Sequence, residues 1–251
     1  MAILDKERSE NLYNADSYKN NTDNWEDEVS FYRAAGFLDA LEQAGLIGEI
    51  DSILDVGCGS GGVLAEMADD LRLEETHLEG IDISRIAVGI ANSLAERKGV
   101  RGRIKYQVQS LTDVDTSAKY TVTSMIHVLE HCPDMLEMLE ECAKRSEYQY
   151  INVPLEYNLF YCLLRNVPAQ QYEKYGHLHF FDEPFILKWL DSNGYDVVVK
   201  VYSSDYMVQK PGFSYGAFQR LRKFWHRAFG PLSTIRYLAG LSGGYLVKKR
   251  T

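Results

Sequence analysis

Asp55-Val56-Gly57-Cys58-Gly59-Ser60-Gly61 places three glycines at alternate positions after an aspartate, and a second aspartate, Asp82, stands 21 positions beyond Gly61. Glycines so spaced let a backbone turn come close to a ligand, and a carboxylate at that separation is placed to accept hydrogen bonds from ribose hydroxyls. The pair points to a nucleoside-containing ligand. There is no Walker lysine, and Asp55 would repel a pyrophosphate, so this end suits a ligand with a cationic amino-acid end. A second group, His127, Glu130 and His131, sits within five residues, with His177 and His179 further on. Histidine ordinarily titrates near neutrality, so it is the side chain suited to taking a proton from a hydroxyl nucleophile.

Elements must bring these groups together. A helix is expected over Glu28–Ala44, then a short apolar run entering the glycine turn, then a helix from Val63 to Leu71. Strands are expected at Thr76–Ile83, Arg103–Val108, Tyr120–Val128, Tyr148–Val153 and Tyr195–Tyr202, with helices between them from Ser84 to Lys98, Met135 to Arg145 and Phe185 to Leu190. Such alternation implies βαβ units and a largely parallel, doubly wound α/β sheet. Gly244–Lys248 reads as a last, antiparallel edge strand. The chain divides into an arm (1–28), a core (29–153), an aromatic insertion (154–181) and a basic insertion (203–243), all within one domain. Insertions near the carboxyl ends of parallel strands are where ligands are covered.

Four segments resemble class I S-adenosylmethionine-dependent methyltransferases: ILDVGCGSGG, GIDIS, YTVTSMIHVLEH at 120–131 and the strand Tyr150–Pro154. The resemblance implies a Rossmann-like seven-stranded sheet and S-adenosylmethionine as cofactor, with S-adenosylhomocysteine as product. It implies that Asp55, Gly57, Cys58 and Gly59 face the methionine part and that Asp82 holds the ribose. Ile83, Ser110 and Leu111 would lie by the adenine, and Met125 would join the cofactor site. His131, with His127 and Glu130, is then the expected catalytic group.

H-x-x-E-H also resembles the E-x-x-E-H segment of ubiquinone-pathway O-methyltransferases and small-RNA 2′-O-methyltransferases, which is associated with a divalent ion. The reading here is without metal. Were a cation held, His127, Glu130, His131 and His179 would be the ligands, and His127 in place of a carboxylate moves preference away from Mg²⁺.

The whole chain carries a net charge of −9 over 251 residues, but residues 200–251 hold ten basic side chains and one acid. That local +9 leaves −18 on the remaining 199 residues. An acidic body disfavours nucleic acid as partner. The basic segment, with Arg220, Arg222, Lys223 and Arg227 beside Phe218, Phe224, Trp225 and Phe229, reads as a solvated helix face, an anion site for a phosphate-bearing or lipid-linked acceptor, or a patch on anionic lipid, with RNA a fourth reading that the acidic body disfavours. Pro154–Arg165 reads as an acceptor lid or an interfacial helix. No run approaches the roughly 20 apolar residues of a membrane span, and Cys58, Cys132, Cys142 and Cys162 form no C-x-x-C pair, so reduced thiols in a cytoplasmic protein are expected. The expected activity is O-methylation of a small molecule such as a sugar or phosphate-decorated metabolite, with an anionic acceptor allowed. A metal-assisted enzyme for a quinone-like or RNA acceptor, and a binding protein without catalysis, are the alternatives; oligomeric state is open.

Overall fold

The computed structural model describes residues 25–159, 167–203, 215–238 and 240–250. Of the arm expected at 1–28, residues 1–24 lie outside the described residues and 25–28 open the first helix instead; 160–166 of the expected lid also lie outside. The elements follow as α1 (Trp25–Gln43), β1 (Ser52–Val56), α2 (Gly62–Met67), β2 (His77–Asp82), α3 (Arg85–Lys98), β3 (Ile104–Val108), β4 (Tyr120–Ile126), α4 (Met135–Ala143) and β5 (Ser146–Pro154). Then come α5 (Val167–Tyr175), α6 (Glu183–Ser192), β6 (Tyr195–Ser203), α7 (Tyr215–Leu238) and β7 (Ser242–Lys249).

The sheet order is β3-β2-β1-β4-β5-β7-β6. β1 is parallel to β2 and β4, with Ile53 beside Leu78 on one side and Val122 on the other. Only β7 runs the other way, against β5 and β6. The expectation of one antiparallel strand in a mainly parallel sheet therefore holds, but the strand lies one place in, and β6 forms the edge. Parallel strands covered on both faces alternate between two cores. Ile53, Tyr150 and Leu246 join α1 and α3 in one, while their neighbours Leu54, Ile151 and Tyr245 join α4 and α6 in the other. Phe37 of α1 stacks on Tyr150 at 4.2 Å.

Local chemistry explains most helix ends. Ser84 caps α3 by accepting from the Ala87 amide at 3.2 Å, and Gly99 closes it in the left-handed region. Asp134 and Asp182 cap α4 and α6 in the same way. α2 is shorter than the expected Val63–Leu71, because Asp70 accepts from the Arg72 amide and starts a separate 3₁₀ turn, Leu71–Leu73. Arg145, buried at the start of β5, is satisfied throughout: it donates to the Val114 and Glu141 carbonyls and to the Glu141 carboxylate. The helix read in the basic segment is present as α7, while α5 stands in the aromatic insertion, where the expected helix covered only Pro154–Arg165.

The strand order reverses between β1 and β4, which opens a crevice beyond their carboxyl ends. The glycine turn and the His127–His131 segment follow β1 and β4, while Asp82 closes β2 and Ser110 follows β3.

Candidate active site

The glycine turn is built on left-handed backbone, with φ of 70° at Gly57, 54° at Gly59 and 78° at Gly61. The Ile81 carbonyl accepts from the Gly57 and Cys58 amides at 2.8 and 3.0 Å, tying the turn to β2. A Cβ at Gly57 would lie 2.7 Å from Cγ2 of Val128, so the turn and the segment after β4 pack directly. Only glycine meets both the dihedral and the gap.

Two carboxylates lie under this turn. Asp82 accepts from the Gly59 amide at 2.9 Å and the Ser84 amide at 2.8 Å, one on each oxygen, so each oxygen keeps acceptor capacity for a vicinal diol. Burial pushes its carboxyl up and the backbone donors pull it down, with the net shift upward. Asp55 is buried and accepts from the Ser124 hydroxyl at 2.7 Å. Desolvation raises its carboxyl to about 7, with the Ser124 bond working against the rise and Asp82 adding to it. A desolvated carboxylate with a raised proton affinity fits a cationic ligand group, which would return it to its charged form. Burial, then Asp55 and Asp82, push the Cys58 thiol well above its usual range, so it stays protonated.

The edge of the crevice is formed by Ile83, which is half-exposed, and by Ser110, which precedes the 3₁₀ turn Leu111–Asp113. Ile83 offers apolar surface to the face of a nucleobase, and Ser110 a hydroxyl to its polar edge. Met125 offers neither: it is fully buried in the core with Leu54, Ile81 and Leu111, because its side chain points to the covered face of β4. That residue supports the floor of the site and offers a ligand no surface.

The second cluster gathers round Glu130, which is fully buried. His127 directly follows β4 with φ of 57°, a strained value for a residue with a side chain. Its amide donates to the Asn152 carbonyl, its Nδ1 lies 3.1 Å from Oε1 of Glu130, and its Nε2 lies 3.0 Å from Oγ of Ser242. Burial alone would raise the Glu130 carboxyl, yet His127, with smaller help from His131 and His177, holds it well below the usual carboxylate range. The Glu130 carbonyl accepts from the Leu178 and His179 amides, which locks the aromatic insertion onto the segment after β4. His131 places Nδ1 3.3 Å from the Gly176 carbonyl, and burial lowers its proton affinity. A carbonyl can only accept, so Nδ1 carries the hydrogen and Nε2 the lone pair. His177 packs edge-on against His131 at 5.0 Å and places Nδ1 2.9 Å from Oε2 of Glu156.

The structure thus gathers Glu130, His131 and His177, whose ligand atoms lie within 4.8 Å of one another. The metal set expected from sequence differs: His179 turns its Nε2 to the Cys132 carbonyl at 2.8 Å, and His127 is engaged at both ring nitrogens. His177 takes the place assigned to His179. Glu156, Ser242 and the Gly176 carbonyl were missed, since each comes from a distant segment. The Leu-Glu that follows Pro154 at the end of β5 is the one local hint of Glu156.

Residues 22–200 match a family model described as a methyltransferase domain. The ubiquinone biosynthesis O-methyltransferase of Vibrio cholerae is 35% identical over 108 residues, which is 41% of this chain and 40% of that protein. The mitochondrial protein of the same name from Saccharomyces cerevisiae is 33% identical over 95 residues, 38% of this chain and 29% of its own length. The chain therefore spans less than half the length of these curated relatives. In fold it is similar to magnesium protoporphyrin IX methyltransferase from Synechocystis PCC 6803, solved with bound SAM, at a TM-score of 0.60, 14% identity and coverage of 100% and 99%. A SAM-dependent methyltransferase from Geobacter sulfurreducens, in complex with S-adenosyl-L-homocysteine, is similar at 0.53, with 18% identity and coverage of 83% and 91%.

Two predictions come from this geometry. Gly57→Ala should destabilise the protein by roughly 1–3 kcal/mol in urea melts, and adding Val128→Ala should recover part but not all of the loss, because the dihedral strain remains. For Asp55 the folded value near 7 lies above its ordinary 3.8, so the folded state binds the proton more tightly. Its contribution to stability is full below about pH 4 and lost as pH climbs through 7. The stability of wild type relative to Asp55→Asn, in the absence of ligand, should fall across that window by up to roughly 4 kcal/mol; a flat difference would place the carboxyl in water.

Proposed function

Since the chain belongs to the methyltransferase domain family, we propose that it methylates a hydroxyl oxygen of a small-molecule acceptor with S-adenosylmethionine as donor. The observation that carries the oxygen acceptor is the bond between Nδ1 of His131 and the Gly176 carbonyl, which puts the hydrogen on Nδ1 and leaves Nε2 as the basic nitrogen. The partial likeness to ubiquinone biosynthesis O-methyltransferases supports the same reading. When bound, S-adenosylmethionine supplies a sulfonium methyl group for displacement.

The chain's own residues divide the remaining work. Asp82 accepts the ribose hydroxyls with the lone pairs that Gly59 and Ser84 leave. Asp55 faces the ammonium end, and Ile83 and Ser110 flank the adenine. His131 takes the acceptor's proton at Nε2 as its oxygen attacks, while His127 and Glu130 hold the segment in place. Alignment and exclusion of water supply the rest of the acceleration. The sugar or phosphate-decorated acceptors expected from the sequence and a quinone-like phenol all present such a hydroxyl. Free thiols at Cys58, Cys132 and Cys142 agree with a reducing compartment, the cytoplasm.

One observation favours a second reading, in which a cation polarises the acceptor oxygen. Glu130, His131 and His177 converge, and both Glu130 oxygens are buried without a hydrogen bond of good geometry. Two imidazoles and one carboxylate suit Zn²⁺ or a neighbouring transition ion better than Mg²⁺.

The decisive experiment incubates the enzyme with methyl-labelled S-adenosylmethionine and a metabolite extract, then reads the methylated product by mass spectrometry. With that acceptor, His131→Ala should lower turnover by about 10²-fold or more and leave cofactor affinity nearly unchanged. Unchanged turnover would remove His131 from the reaction. Exhaustive chelation should leave the wild-type rate intact on the first reading and abolish it on the second, with recovery on adding Zn²⁺.

A further inference from the structure

We propose that α7 is a docking element for an anionic phospholipid bilayer. Residues Tyr215–Leu238 contain five basic side chains, Arg220, Arg222, Lys223, Arg227 and Arg236, and no acid. Gly230, with φ of 78° and ψ of 177°, breaks the helix, and Pro231 begins the second leg with a dihedral already suited to it. The second leg folds back on the first. Trp225 donates from Nε1 to the Ser233 hydroxyl at 2.9 Å and packs against Tyr237, and Arg222 donates to the Leu238 carbonyl at 2.8 Å.

The inner side of the pair is thereby occupied. Arg222 is only 5% exposed, so it serves the fold and not an acceptor or a membrane, contrary to its place in the basic cluster read from sequence. The outer side of the first leg carries two stripes. Leu221, Phe224 and Ala228 repeat at i, i+3 and i+7, and Arg220, Lys223 and Arg227 repeat at the same interval one residue earlier. An apolar stripe and a basic stripe thus run side by side. Phe229, whose ring packs against Trp225 at 4.6 Å, and Leu232 are also exposed on either side of the bend. Leu221 is 47% exposed, Phe224 65%, Phe229 59% and Leu232 56%, a concentration of large apolar side chains that water does not favour.

Apolar side chains beside cations, with no acid among them, match the acyl–headgroup boundary of an anionic leaflet. A polyanion such as RNA would use the cations and leave Leu221, Phe224 and Leu232 without a role. Among the described residues outside α7, Lys248 pairs with Glu147, Lys249 with Glu140, Arg250 with Asp191 and Asp196, and Lys200 with Glu183. Five of the ten basic residues of 200–251 lie on α7, where the sequence supplies no acid.

The test is sedimentation of the full-length protein with vesicles of phosphatidylcholine alone or mixed with phosphatidylglycerol. We expect at least about tenfold more binding to the mixed vesicles, falling as salt is raised. Lys223→Glu with Arg227→Glu should abolish it. Leu221→Gln with Phe224→Gln, at unchanged charge, should weaken it at least about fivefold. Near-ultraviolet circular dichroism and S-adenosylmethionine affinity serve as fold controls for these exposed positions. Equal binding to both vesicle types, or none, overturns the proposal. So does an RNA that competes with the vesicles while the Gln pair binds both as wild type does. A shift from dimer to monomer in the Gln pair, with no change in vesicle binding, would instead make the face a contact between copies.

Discussion

A carboxylate with no access to water cannot remain charged unless its surroundings repay the lost hydration, and Glu130 is such a group. Its compensation comes from three imidazoles drawn from two segments, His127 and His131 around the end of β4 and His177 in the aromatic insertion. Each imidazole is in turn held by something further away: His127 by Ser242 at the start of β7, His131 by the Gly176 carbonyl and His177 by Glu156 after β5. One buried charge thus fastens the aromatic insertion and the C-terminal strand to the mouth of the sheet. The strained φ of His127 is tolerated because contacts at its amide and both ring nitrogens leave it little alternative.

Asp55 is the counterpart. It is almost as deeply buried but has a hydroxyl, not imidazoles, as its near partner, so its carboxyl moves up while that of Glu130 moves down. Environments that drive two acids apart are how one site holds groups of different function at a single pH. The two acids stand on opposite sides of the contact between Gly57 and Val128, which joins the glycine turn to the histidine segment. A ligand cation would satisfy the first acid, while the chain's own imidazoles lie beside the second. Asp55 is thus left with a hydroxyl and no countercharge, whereas Glu130 faces three imidazoles.

What the sequence discloses follows the range of the forces involved. The glycine turn, Asp82, the cap at Ser84 and nearly every strand are legible because each is decided within a few residues by dihedral preference, capping or alternation. The choice between His177 and His179 is not. The two are separated by one residue in an extended segment, both lie on the same side of the strand-like backbone, and their targets, Glu156 and the Cys132 carbonyl, belong to other elements. The position of β7 is similarly hidden: its alternation announces a strand, but nothing local says that it enters between β5 and β6. Met125 looks like a site residue by proximity to the motif and proves to be core, since the face of β4 it occupies depends on what packs behind the sheet.

The charge asymmetry shows the same division between what is summed along the chain and what is placed in space. Taken as a sum, residues 200–251 are a +9 tail on a −18 body. In the fold the two ends of that tail, at β6 and β7, lie in the sheet and pair with acids on neighbouring elements, so they work as internal counterions. The stretch between them is placed differently: the bend at Gly230 turns α7 back on itself, and Arg222 closes the pair by donating to the Leu238 carbonyl. The remaining cations stand on its outer face beside side chains that avoid water. A protein evolving under solubility alone would have little reason to set Phe224 and Leu221 there. Their position next to the cations, on the segment that leads through Ser242 to the buried charge at Glu130, ties the outermost surface of the molecule to its most deeply buried group.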